Sequence, residues 1–465
     1  MTSSVVVGLG RSGFGAARLL HAQGHQVTVL ESKQVGGLQV QALRDLGVAV
    51  RLGCALKPDP FVSWSAPLDQ VIVSPGIPWD HPTLATLRAR GVRVCGEMAV
   101  AWNALRHIPW IGITGTNGKT TVTHLLQHVL SHGGLEAPMA GNVGHSAAEL
   151  ALSCQTNAEP QPDWVVMEMS SYQIEAAEQV APRIGIWTTL TPDHLERHGT
   201  LDAYRAIKHG LLRRSAQQVL NADDPDLLAH HHQWPNATWV STNPVPVVPC
   251  SLWIDQEQWV CNREARLFHA TALALPGEHN RQNMLMVTAA ALHAGLKASV
   301  IEAGIRSFGG VPHRLEPLGT LLGMKVYNDS KATNYDAAAV GLRAVGHPAV
   351  VLAGGQTKQG DATEWLELLK ERASSVVLFG QGAQELNALI QASAFPGEVW
   401  METDLADAVS RARLCGPARS AQTLLLSPAC ASFDQYSDFE QRGEHFRTLI
   451  QAAQKNHEDG NNQSR

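Results

Sequence analysis

The chain has 465 residues, 44% hydrophobic and 17% charged, which excludes wholesale disorder and, at about 100–200 residues per domain, suggests roughly three domains. Lys plus Arg number 36 against 42 Asp plus Glu, a formal charge of −6; no nucleic-acid partner is expected, and any anion must meet a local cluster of cations. Seven scattered cysteines without a C-x-x-C pair argue against a disulfide framework or structural zinc, and no apolar run is long enough to span a bilayer, so a cytoplasmic protein without membrane insertion is expected.

In chain order, the β-branched run Val5-Val6-Val7 predicts a first strand, ended by Gly8 and Gly10. A helix is predicted over Ala16–Gln23, then strands at Val27–Leu30, Val48–Leu52, Val71–Val73 and Val92–Val94. Such alternation suggests a parallel sheet with crossover helices. A second series includes strands at Trp110–Ile113, Val165–Met167 and Ile184–Thr188. Three prolines between Asn243 and Pro249 predict an irregular insertion or edge hairpin. Helical patterning resumes in Ala289–Ala294 and Val300–Ser307; a third series has strands at Lys325–Asn328, Ala349–Ala353, Val376–Phe379 and Thr423–Leu426. Punctuation places boundaries near 107 and 311, and the polar tail from Lys455 is expected to fray. His230, His231 and His232 read as a solvated helix end or loop rather than a metal tract.

Gly8-Leu9-Gly10-Arg11-Ser12-Gly13 is a G-x-G-x-x-G between strand and helix, with Glu31 at the end of the next strand. Glycines in that position let backbone approach a diphosphate at a helix N-terminus, and the acid binds a ribose hydroxyl. The motif alone suggests a nicotinamide-dependent oxidoreductase, though any nucleotide diphosphate satisfies it, and so does a purely structural turn. Ile111-Gly112-Ile113-Thr114-Gly115-Thr116-Asn117-Gly118-Lys119-Thr120-Thr121 is the stronger signal. Backbone N–H groups of such a loop wrap phosphate oxygens, Lys119 reaches the β- and γ-phosphates, and Thr120 offers a hydroxyl to Mg²⁺. A standard G-x-x-x-x-G-K-[ST] loop needs glycine where Ile113 stands, which sets this variant apart from an ordinary motor or GTPase. Two diphosphate-grade sites imply that ATP drives a change in a substrate carrying its own nucleotide handle.

The T-G-T-N-G-K-T-T loop is followed by Gly141-Asn142-Val143-Gly144, Glu168-Met169-Ser170-Ser171-Tyr172-Gln173, Thr191-Pro192-Asp193-His194 and Asn221-Ala222-Asp223-Asp224. Gly277-Glu278-His279-Asn280, Pro312-His313-Arg314-Leu315-Glu316 and Asn328-Asp329-Ser330-Lys331-Ala332-Thr333-Asn334 continue the series. Together they resemble the Mur ligase family along the whole chain. The N-terminal G-L-G-R-S-G and the run Leu426–Tyr436, continuing through Phe439-Glu440-Gln441-Arg442-Gly443, resemble the family's D-glutamate-adding branch.

The resemblance implies a three-domain α/β fold: a Rossmann-like domain over 1–107 for a UDP substrate, a P-loop-type ATPase domain over 108–311, and a Rossmann-like amino-acid domain over 312–465. It implies ATP, UDP-N-acetylmuramoyl-L-alanine and D-glutamate as substrates, a monomer, and an acyl phosphate displaced by the incoming amine with release of ADP and phosphate. Catalytic roles fall on Lys119, Glu168, His194, Lys208 and Lys331, and ATP contacts on Gly115, Thr116, Asn117, Gly118, Thr120, Thr121, Asn280, Asn283, Arg314 and Asp329. The UDP substrate is assigned Arg11, Ser12, Glu31, Ser32, Lys33, Gly76, Asn142 and His194; D-glutamate is assigned Thr333, Lys358, Ser432, Phe433 and Phe439, the two phenylalanines reading otherwise as core. Two Mg²⁺ ions are implied, held by Thr120, Glu168, His194 and Lys208 once its amine is N6-carboxylated; from the residues alone, Lys208 looks like an exposed helix lysine.

Overall fold

The computed structural model describes residues 2–34, 37–57, 68–156, 161–275, 277–357 and 360–462. The chain divides into two compact units, Met1–Phe308 and Gly309–Arg465. The first holds two sheets. Strands β1 (Ser3–Val7), β2 (Gln26–Leu30), β3 (Ala49–Arg51), β4 (Gln70–Val73) and β5 (Arg93–Gly96) pair in the order β3-β2-β1-β4-β5, all parallel. Val5, Val6 and Val7 are buried, as a strand covered on both faces requires. The first helix is Arg11–Ala22, earlier than the sequence predicts, because glycines at its start hide the apolar period. It packs on the helices Glu97–Leu105 and Ala147–Gln155, the latter beside the second sheet, and Arg18 pairs with Glu149 at 2.9 Å.

That second sheet takes β6 (Trp110–Thr114), β7 (Met139–Gly141), β8 (Val165–Glu168), β9 (Ile184–Trp187), β10 (Gln217–Asn221), β11 (Thr238–Ser241), β12 (Leu252–Ile254), β13 (Trp259–Cys261) and β14 (Arg266–His269) in the order β14-β13-β12-β11-β10-β9-β6-β8-β7. Strand β6 lies between β8 and β9, so the strand order reverses at its C-terminal end, where open α/β sheets place ligands. The antiparallel edge β12–β14 escapes sequence reading: its strands are three or four residues long, and Gln258 adopts φ 64° in a turn without the Asn-Gly signature. Residues 243–249 form no strand, as their prolines predict, and His231–Gln233 is a single 3₁₀ turn without a buried residue.

In the second unit, β15 (Glu316–Leu321), β16 (Met324–Asn328), β17 (Ala349–Gly354), β18 (Ala373–Phe379), β19 (Glu398–Glu402) and β20 (Thr423–Leu426) order as β15-β16-β20-β17-β18-β19. Only the β15–β16 pair is antiparallel. The helix Phe439–Asn462 runs through the tail expected to fray. Among the described residues no helix is long and apolar enough to cross a membrane.

Candidate active site

At the C-terminal end of β6 the chain turns through Gly115–Gly118 into the helix Lys119–His132. The segment after β9 clamps this loop: Thr188 Oγ1 donates to Asn117 O at 2.5 Å, Thr189 Oγ1 accepts from Asn117 N at 3.0 Å, and Thr116 Oγ1 donates to Thr191 O at 3.1 Å. Gly115 has φ 149° and Gly118 φ 83°; a Cβ on the first would collide with Thr188 Oγ1, and one on the second would lie 2.7 Å from Asn283 Oδ1. Gly115→Ala is therefore expected to cost about 1–3 kcal/mol of strain and to weaken binding of a non-hydrolysable ATP analogue, measured by calorimetry, while Gly346→Ala, outside the loop and without a positive φ or a close neighbour, leaves binding unchanged.

Lys119 Nζ donates to Gly115 O at 2.9 Å and Thr116 O at 2.8 Å. Lys208 Nζ donates to the same Gly115 O at 2.9 Å, with Thr114 Oγ1 at 3.3 Å. Lys208 is thus no exposed helix lysine: it is 1% exposed. On the helix Leu201–Arg214, Tyr204, Lys208, Leu211 and Leu212 share the buried face, as a period of 3.6 dictates, and the Tyr204 ring lies 4.4 Å from Nζ. Burial pushes this amine well below its ordinary value, the Lys119 charge pushes the same way, and Asp193 opposes.

Glu168 ends β8 beside β6 and is buried. Its Oε1 accepts from Asn142 Nδ2 at 2.8 Å, and its buried Oε2 has no hydrogen-bond partner among the described residues. Thr120 is buried in the first turn of the loop's helix, with Thr121 half-buried beside it. His194 sits at φ 54°, ψ 31°, capping the helix Leu195–His198. Its ring nitrogens lie 3.5 Å from Asp193 and 3.7 Å from Glu196. Arg11 donates to Gly144 O at 2.9 Å. A cavity of about 300 Å³ gathers Arg11, Ser12, Gly115, Lys119, Asn142, His194 and Lys208.

Other expected residues lie apart from that lining. Glu31 closes the glycine turn on itself, accepting from Leu9 N at 2.6 Å, Lys33 N at 2.9 Å and Ser32 Oγ at 3.1 Å. Burial raises its carboxyl, but these bonds and the Lys33 charge carry it below its ordinary value. Ser32, Lys33 and Gly76 are exposed. Asn283 is buried behind Gly118, with Asn280 Oδ1 accepting from its Nδ2 at 3.5 Å.

In the second unit, Asp329 is buried and accepts from Leu315 N and Ser427 Oγ, both at 3.1 Å. Burial raises its carboxyl to about 7 against these bonds and Arg314, and Arg314 is exposed. Lys331 Nζ lies 5.1 Å from the Phe439 ring, Thr333 N donates to Lys331 O at 2.9 Å, and Ser432 is buried. Phe433 is 68% exposed, which removes the core reading for it, and Phe439 is half-buried. Lys358 lies outside the described residues.

Several neighbours were not singled out as site residues. Ser171 and Tyr172 also line the cavity, and both lie in the E-M-S-S-Y-Q run. Tyr204 lines it too and stands one helical turn before Lys208, a spacing that could have found it. His198 accepts or donates to Ser171 Oγ at 2.9 Å and packs on Tyr172 and Tyr204; nothing in the sequence marks it. Arg442 is fully buried, its guanidinium lowered to about 10 by burial against the pull of Cys430, Asp434 and Tyr436.

Residues 2–96 match the Mur ligase MurD-like N-terminal domain, 113–291 the Mur ligase middle domain and 313–430 the Mur ligase glutamate ligase domain. A protein of Parasynechococcus marenigrum (strain WH8102) named UDP-N-acetylmuramoylalanine–D-glutamate ligase is 61% identical over 458 residues, 98% of this chain and 99% of that relative. The chain belongs to the Mur ligase family. A Synechocystis protein (strain ATCC 27184 / PCC 6803 / Kazusa) of the same name is 45% identical over 455 residues, 96% of this chain and 98% of that relative. Among solved Mur ligases, UDP-N-acetylmuramate-alanine ligase MurC of Thermotoga maritima has the same fold at a TM-score of 0.58 and 20% identity, covering 97% of this chain and 100% of that one. MurF of Acinetobacter baumannii gives 0.55 at 18% identity, with 77% of this chain and 79% of that chain covered. Three Mur ligase domains, in the expected order, account for both glycine motifs without a nicotinamide oxidoreductase or a nucleic-acid motor.

Proposed function

We propose that the chain joins D-glutamate to UDP-N-acetylmuramoyl-L-alanine at the expense of ATP, through an acyl phosphate, in peptidoglycan precursor synthesis. Relatives of that name over nearly the full length support the substrates. The observation that carries the chemistry is the clamped loop, whose Lys119 shares one cavity with Arg11, His194 and Lys208. Activation brings a carboxylate against the γ-phosphate, and at about 4 Å and an effective dielectric near 20 the two repel by roughly 4 kcal/mol. Lys119 offsets this when it exchanges the carbonyls of Gly115 and Thr116 for phosphate oxygens, and Arg11 adds a second cation.

Glu168 and Thr120 fit a Mg²⁺ ion: Glu168 Oε2 is a buried carboxylate oxygen with no partner among the described residues. Among the described residues no three His, Cys, Asp or Glu side chains form a metal cage, but Mg²⁺ characteristically takes one or two carboxylates plus substrate phosphates. The ion, when bound, neutralises phosphate charge. Lys208 has the environment of a neutral amine, the form that attacks CO₂: an N–C bond forms, one N–H proton leaves to solvent, and a carbamate results. That carbamate, with His194, would hold a second Mg²⁺.

Asn280, Asn283, Arg314 and Asp329 are assigned to the nucleotide. Lys331 is assigned a catalytic role, Thr333, Lys358, Ser432, Phe433 and Phe439 are assigned to the amino acid, and Arg11, Ser12, Glu31, Ser32, Lys33, Gly76, Asn142 and His194 to the UDP substrate. Domain boundaries near 107 and 311 fall in the gaps between the matched domains. Among the described residues no two cysteines form a disulfide, which supports a reducing cytoplasm; a monomer is part of the same proposal.

The test is phosphate release from ATP with UDP-N-acetylmuramoyl-L-alanine present. D-Glutamate is expected to stimulate it; equal stimulation by L-glutamate or other amino acids, or none, removes the proposal.

A further inference from the structure

Because β20 runs between β16 and β17, three loops leave the C-terminal ends of these strands side by side in the second unit. One is 329–333, one 355–357 and one 427–432. Arg442, from the final helix, reaches all three junctions with its guanidinium fully buried. Nε donates to Ser330 Oγ at 3.0 Å, Nη2 to Ser330 O at 2.8 Å and to Cys430 O at 3.1 Å, and Nη1 to Gly354 O at 3.3 Å. Every one of these acceptors is neutral. A Cβ added to Gly355 would lie 3.0 Å from Nη1 and would also collide with Ala431 O, so the loops meet tightly around this one side chain.

Among the described residues no carboxylate hydrogen-bonds this guanidinium, and Asp434 answers its charge only from a distance; a buried charge so placed stays unfavourable unless a further anion comes near. A simple staple for three loops would not need a charge, since a neutral donor could serve. The residues next to those Arg442 holds carry assigned roles: Lys331, assigned to catalysis, follows Ser330, and Ser432, assigned to the acidic amino acid, lies just beyond Cys430.

We infer that Arg442 is a positioning residue for the dicarboxylate amino acid, fixing the three loops and supplying from beneath them the positive charge that favours an acidic side chain. This rests on the D-glutamate reading above. Atoms of Arg442 need not touch the substrate; the field and the loop register act through Ser330, Lys331 and Ser432.

The experiment measures Michaelis constants for each substrate, and the kcat/KM ratio of D-glutamate over the neutral D-glutamine, in wild type, Arg442→Lys, Arg442→Met and Ser330→Ala. Arg442→Met is expected to raise KM for D-glutamate about 100-fold and to cut the selectivity ratio about tenfold, with KM for ATP and for UDP-N-acetylmuramoyl-L-alanine unchanged. Arg442→Lys keeps the charge but loses the planar fork, so KM for D-glutamate rises about tenfold with selectivity retained. Ser330→Ala removes the Nε–H acceptor and leaves the charge, for a rise of about threefold with selectivity intact. If Arg442→Met fails to fold, a lowered selectivity in Arg442→Lys, or constants that rise alike for all substrates there and in Ser330→Ala, overturns the inference. So does wild-type selectivity in a folded Arg442→Met. A wild type without D-glutamate-dependent phosphate release defeats the functional reading itself; normal wild-type turnover with no selective effect in the variants defeats only the role of Arg442.

Discussion

Replacing Lys119 with alanine is expected to lower ADP formation by at least about 10²–10³-fold, the usual loss when a preorganised donor to developing charge is removed. Thermal stability is expected to stay within a few degrees of wild type. The loop keeps its shape by other means: Thr188, Thr189 and Thr191 still engage Asn117 and Thr116, and Gly115 O retains Lys208 as donor. Losing two hydrogen bonds to carbonyls on a half-buried side chain costs roughly 1–2 kcal/mol at most. The measurement pairs steady-state ADP release with thermal unfolding. A variant that unfolds early says that Lys119 is a structural staple of the loop; a folded variant with near-normal ADP formation says that the cation at the γ-phosphate is someone else. The same substitution removes the neighbouring charge that helps depress Lys208, so the Lys208 amine should move back toward its ordinary value, an effect visible in the pH dependence of unfolding.

What the sequence reveals here follows from which forces are local. Val5–Val7 and Ala349–Ala353 announce buried parallel strands because both of their faces must be apolar, and the structure has them there. The phosphate loop is legible for a similar reason: its glycines are demanded by close neighbours, Thr188 and Asn283, and the turn from strand to helix is written in consecutive residues. Lys208 is marked by the resemblance alone, and its burial is not legible in its own stretch. Its position on the buried face of the helix depends on Tyr204, Leu211 and Leu212 packing inward, and an R-A-I-K-H stretch gives no sign of which side meets Gly115. Arg442 escapes for the same physical reason, since an arginine in E-Q-R-G-E reads as solvated surface until three loops from distant strands close over it. Glu168 stands between these cases: its motif marks it, but only the fold shows that one carboxylate oxygen is satisfied by Asn142 and the other by none of the described residues.

Lys208 carries the second large effect, in stability as well as in turnover. In the fold its amine is held well below the ordinary lysine value, whereas the unfolded chain takes up a proton at about 10.4. Between those two values the unfolded state binds more protons than the native state, so stability rises with pH through that window and falls as pH drops through it. Lys208→Met fills the same space without a titratable group and removes this contribution. The stability gained by the variant relative to wild type is therefore expected to be largest at the acid end of the range in which both proteins fold, and to shrink as pH rises toward the ordinary lysine value of about 10.4. Urea unfolding of both proteins across that range checks it, and a difference that stays flat means that the amine remains ionised in the fold and unready for CO₂. Turnover adds the other half. Lys208→Ala is expected to lose about 10²-fold in kcat, and a small carboxylate such as formate or acetate, entering the space left behind, is expected to restore part of it. Rescue by the carboxylate but not by methylamine separates a missing anion from a missing amine; rescue by methylamine instead would assign Lys208 as an unmodified base or cation, and the carbamate would be withdrawn.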